Sequence, residues 1–138
     1  MKLRIALALS FAVVMLTSTG GALMSRTNSL AASPVAATFI GTWRTTWKNV
    51  DGHTGSAPVT VKADSTNANA LDGFVETEGP NGVMYGMLSA DRKTWSGDWW
   101  NSKGEKGTFT FTLTGNRSFD GSYTIEGTAG SFSWSGTR

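Results

Sequence analysis

Lys93-Thr94-Trp95-Ser96-Gly97-Asp98-Trp99-Trp100 is the stretch whose reading decides the fold. In an extended chain alternate side chains share a face, so Trp95, Gly97 and Trp99 lie together. The same figure of aromatic, glycine and aromatic at two-residue spacing returns in Phe39-Ile-Gly-Thr-Trp43 and Phe119-Asp-Gly-Ser-Tyr123. In Trp134-Ser-Gly-Thr-Arg138 an arginine takes the last place, and Leu71-Asp-Gly-Phe-Val75 is a weaker copy. The repeated figure describes strands that point large rings and a gap-making glycine to one side.

Working outward, eight short alternating runs separated by Gly, Asn, Asp and Ser read as strands. They cover 39–48, 57–63, 70–78, 83–90, 94–101, 106–114, 118–126 and 131–138. The sixth alternates most cleanly, Phe109, Phe111 and Leu113 against threonines. Asn81-Gly82 is a hairpin signal. No sustained 3.6-residue period occurs, so no helix is expected. Short connections between successive runs imply an antiparallel meander. Eight such strands leave two open edges unless they close, and closure gives a barrel wide enough for side chains or one small ligand. The expectation is therefore an all-β, eight-stranded antiparallel up-and-down β-barrel over 39–138. An open sandwich with the same alternation is the alternative.

Residues 1–31 read as a cleaved signal peptide. Lys2 and Arg4 form a basic start, Ile5 to Leu16 is apolar but for Ser10, and small residues follow. Cleavage is expected after Ala31, with Ala22 the other candidate, and 32–38 reads as a flexible linker. The apolar core has about half of the ~20 residues a membrane-spanning helix needs, which weighs against an uncleaved anchor. Localisation is accordingly secreted or periplasmic, with no membrane association after cleavage.

The chain has a formal net charge of +2, with twelve bases and ten acids. Lys2, Arg4 and Arg26 precede residue 32, so the remaining domain has nine bases against ten acids. It has no lysine or arginine cluster, which argues against nucleic acid as a partner. With no cysteine and one histidine, disulfides, thiolate chemistry and metal-ligand spacings are absent from the sequence. No cofactor is expected.

The first run carries a resemblance. Gly41-Thr-Trp43 resembles the Gly-x-Trp opening of the calycins, the superfamily of lipocalins and avidins. In those families an arginine from the final strand packs across that tryptophan. Arg138 stands in phase with Trp134 and Gly136, so Gly41, Trp43 and Arg138 are the expected barrel-closing set, by cation–π attraction. Asn69-Ala-Leu-Asp-Gly73 and Thr94-Trp-Ser-Gly97 are similar to strands of the streptavidin-like branch. Biotin binders follow Gly-Thr-Trp with a tyrosine or similar residue, then asparagine and serine. Here Arg44-Thr-Thr-Trp47 follows, so the resemblance implies a fold relative and does not imply biotin as ligand.

Candidate ligand-binding residues are those in phase with the glycines. Trp43, Trp47, Trp99, Tyr123 and Trp134 would line a cup, and Thr45, Thr77 and Asn101 would supply polar contacts. The competing reading is that these rings are simply the packed core. In the opposite phase, Phe74, Val83, Tyr85, Met87 and Trp100 would form an outer apolar patch suited to a homo-oligomer or another partner. No catalytic residue is assigned. His53 with Asp51 in a glycine-rich loop is the only general-base candidate, and it reads as a solvated loop pair; Glu76 and Glu78 read as outward, solubilising charges. The function expected is small-molecule binding by a secreted, non-enzymatic barrel. The alternative is a secreted protein-interaction module such as a calycin-type protease inhibitor.

Overall fold

Eight strands follow one another around a closed antiparallel barrel in a computed structural model that describes residues 38–138. They are β1 (Gly41–Lys48), β2 (Thr54–Ala63), β3 (Ala70–Val75), β4 (Gly82–Leu88), β5 (Thr94–Asn101), β6 (Lys106–Gly115), β7 (Ser118–Tyr123) and β8 (Phe132–Thr137). Each pairs with the next, and β1 closes on β8 from Arg44↔Thr137 to Trp47↔Trp134. No edge is left unpaired, and the sandwich alternative is excluded. The expected signal peptide over 1–31 and most of the expected linker over 32–38 lie outside the described residues.

Alternation fixes which face is inside. Trp43, Thr45, Val59, Val61, Leu71, Met84, Trp95, Phe109, Phe111 and Phe119 are all nearly or fully buried. Inward glycines serve as seats for the rings. The indole of Trp95 covers Gly73 and Gly86, Phe111 covers Gly121, Phe119 covers Gly136, and Trp47 covers Gly55. Gly97 has a different duty. A Cβ there would overlap the Tyr85 carbonyl, so its bare Cα lets β4 and β5 approach where the sheet coils tightly.

The strand boundaries depart from expectation by three residues at three places and by one or two elsewhere. Strand β2 begins at Thr54 rather than Ala57, because Gly55 is the seat under Trp47 and pairs opposite it instead of belonging to a loop. Strand β3 stops at Val75 rather than Glu78, where the Thr77 hydroxyl bonds Pro80 O and Gly79 N and starts a turn. Strand β7 stops at Tyr123, although Thr124 N and Glu126 N still donate to Thr108 O and Lys106 O.

The interior has two unlike halves. Toward the end where β1 starts and β8 finishes, Phe39, Trp43, Trp95, Phe111 and Phe119 pack in tilted, edge-to-face and stacked pairs, with centroids 4.7 to 6.4 Å apart. Arg138 closes this end. Its guanidinium stands 4.3 Å from the Trp43 ring centroid and donates to Ile40 O at 2.7 Å and Asn116 O at 3.1 Å. Gly41, at φ +128°, turns the chain beside Arg138 in a conformation that a side chain would strain. The opposite half is not filled.

Candidate ligand-binding site

A cavity of about 580 Å³ opens at the end of the barrel where β1, β3, β5 and β7 finish. Four rings run along one side of it as a continuous arc. Trp47 lies 5.2 Å from Trp134, Trp134 lies 5.3 Å from Tyr123, and Tyr123 lies 5.8 Å from Trp99. Three of the four are pinned by hydrogen bonds. Trp47 Nε1 donates to Asn49 Oδ1 at 2.9 Å, Trp99 Nε1 to Thr124 O at 2.8 Å, and Tyr123 Oη to Lys48 O at 2.8 Å. Pinned rings form a wall that needs little ordering when something binds against it. Val75, Met84 and Pro80 add apolar surface to the lining.

Six of the eight residues read as cup-lining from the sequence border this cavity: Trp47, Thr77, Trp99, Asn101, Tyr123 and Trp134. Two do not. Trp43 is 0% exposed and sits in the packed half, its Nε1 bonded to Phe39 O. Thr45 is buried one step further along β1, and its hydroxyl donates to Ala57 O at 2.8 Å. Both share the inward phase, but phase says nothing about depth along the barrel axis.

The polar side chains are also used differently from what the sequence suggested. Thr77 is engaged in its own turn. Asn101 holds the β5–β6 loop, its Oδ1 accepting from Lys103 N and Glu105 N and its amide donating to Glu105 Oε2 at 2.8 Å. The charged side chains in the cavity lining are Asp51, paired with His53, and Glu105, whose Oε2 accepts from Asn101; neither is singled out by alternation because both lie in loops. Trp134 Nε1, like Trp95 Nε1 in the packed half, is fully buried without an acceptor among the described residues, so it presents no accessible donor to the cavity. Tyr123 keeps its proton past the ordinary tyrosine range, first because burial disfavours the phenolate and then because Glu105 is close.

His53 and Asp51 do come together at the rim, with Nδ1 3.0 Å from Oδ2, and both are largely exposed. The His53 backbone N–H, then its imidazole, hold the Asp51 carboxyl below the usual carboxylate value. Glu76 and Glu78 point to solvent. Among the described residues no group of three His, Cys, Asp or Glu side chains is arranged to hold a metal ion.

On the outer wall Phe74, Val83 and Trp100 stand side by side across β3, β4 and β5. Phe74, Trp100, Met87 and Tyr85 are about 40% exposed, while Val83 is half-buried and also borders the cavity mouth.

No protein-family model matches this sequence, and no curated protein is similar to it. Solved structures are. The barrel is similar to mFAP1, a redesigned β-barrel bound to DFHBI, with a TM-score of 0.62 and 19% identity over 72% of this chain and 94% of that one. It is similar to mFAP0, also redesigned and bound to DFHBI, with a TM-score of 0.60 and 18% identity over 72% and 97%. A fluorescence-activating β-barrel designed de novo matches with a TM-score of 0.58 and 14% identity over 72% and 93%. The likeness is one of fold: a closed eight-stranded antiparallel barrel.

Proposed function

We propose that this chain is an exported, non-enzymatic barrel of calycin type that binds a small molecule in its open half. The observation that carries the reading is the arc of Trp47, Trp134, Tyr123 and Trp99 around a cavity of about 580 Å³, a size typical of small-ligand sites. Two of the similar barrels bind DFHBI, so the architecture can accommodate such a ligand. The leader-like residues 1–31 support export.

The test is a fluorescence titration with N-phenyl-1-naphthylamine, a neutral apolar probe. The expected result is saturable one-to-one binding, weakened at least about tenfold in Ile125→Trp, which fills the mouth with a larger side chain of the same character. Non-saturable binding, or equal binding by that variant with its fold intact, would contradict the proposal.

The exposed row of Phe74, Trp100, Tyr85 and Met87 favours a second reading, association through the outer wall. Under that reading Tyr85→Asp abolishes self-association in sedimentation velocity and leaves probe binding in place. A chain that is monomeric at all concentrations and recovers no partner removes it.

A further inference from the structure

The cavity has aromatic walls and acidic charges, with no basic side chain in its lining. Asp51 and Glu105 are its charged members, and Glu105 is held in place by the Asn101 amide. The charges around it are biased the same way. The four connections at the mouth (49–53, 76–81, 102–105 and 124–131) carry Asp51, Glu76, Glu78, Glu105 and Glu126 against Lys103 and the single histidine. Two lysines also stand at strand ends on that rim. Lys106 pairs with Glu126 at 2.9 Å, so those two charges cancel, and Lys48, bonded to the neutral Thr54 Oγ1 at 2.8 Å, keeps its charge. With Asp51 paired to His53, the rim still holds Asp51, Glu76, Glu78 and Glu105 against Lys48 and Lys103. At the closed end the bias reverses, with Arg92, Lys93, Arg117 and Arg138 against Asp64 and Asp91. A cleft of one sign in a low-dielectric wall focuses its field and concentrates ions of the other sign. The faces of indole and phenol rings attract cations as well.

We infer that the cup is built for an organic cation: an ammonium set among Trp47, Tyr123 and Trp134, answered by Asp51 and Glu105, on an uncharged body. This inference rests on the binding-cup reading above and narrows it. The alternative is that the rim acids only keep the loops soluble, in which case charge on the ligand would not matter.

Three ligands of similar size decide it by calorimetry or tryptophan quenching at low ionic strength: benzoylcholine, its neutral carbon isostere 3,3-dimethylbutyl benzoate, and the anion hippurate. The expected result is that benzoylcholine binds at least about tenfold tighter than the isostere and that hippurate binds weakest. The cation-to-neutral affinity ratio should fall at least roughly threefold in Asp51→Asn/Glu105→Gln, and also in high salt. A ratio near one, an unchanged ratio in that double variant, or hippurate binding as well as benzoylcholine would overturn the inference. If N-phenyl-1-naphthylamine still binds in those cases, the cup reading stands without it. Failure of every ligand, the neutral probe included, sinks both.

Discussion

Single residues are fixed here by contacts that name their own tests. Arg138 gives the closed end its lid, combining a cation–π contact with Trp43 and hydrogen bonds to two carbonyls from separate segments. Arg138→Ala is expected to destabilise the fold by about 3 kcal/mol, read from the urea midpoint. Arg138→Lys should recover only a minor part, since an ammonium cannot lie flat on the indole and reach both carbonyls. Tyr123 makes a pH prediction. Its folded value is raised above the ordinary 10.0, so its contribution is complete below that value and lost as pH rises through the folded one. Tyr123→Phe should cost about 1 kcal/mol near neutrality through the lost bond to Lys48 O. That margin should shrink as the pH rises above the ordinary value of 10.0. A margin that widens over this range would mean that the phenol is not held neutral.

At the scale of elements, the glycines sort into two kinds. Gly97 permits a close backbone approach between β4 and β5, and Gly79 lies in an open turn with nearly free space around it. Gly97→Ala is therefore expected to cost about 2 kcal/mol or more, and Gly79→Ala to stay within about 0.5 kcal/mol, both by thermal or urea unfolding. Equal effects would mean that the strand approach at Gly97 is looser than described. These same glycines explain what was legible in the sequence. The aromatic–glycine phase at Trp95, Gly97 and Trp99 gave the strand, its inward face and the meander. It misplaced the start of β2, because Gly55 reads as a loop until the Trp47 ring is seen lying on it. It also could not separate Trp43 from Trp47, which share a face yet lie in the packed and the open halves. The acids at the mouth were not read as cup groups for a related reason: Asp51 was read only as the loop partner of His53 and Glu105 was not singled out, since neither has a periodicity to mark it and only barrel closure brings their loops to one rim.

Taken whole, the barrel over the described residues is filled with aromatic rings at one end and hollow at the other, with acidic charge gathered at the hollow end. Its six tryptophans sample every part of this arrangement. Trp43 and Trp95 lie in the packed half, Trp47, Trp99 and Trp134 line the cavity, and Trp100 stands on the outer wall. The most direct measurement is the set of indole N–H signals in a ¹H–¹⁵N correlation spectrum, assigned by single substitution and followed through a titration with N-phenyl-1-naphthylamine. The account predicts that Trp47, Trp99 and Trp134 shift together to saturation while Trp43, Trp95 and Trp100 hold still. Shifts confined to Trp100, or no shift at the three cavity indoles, would contradict it.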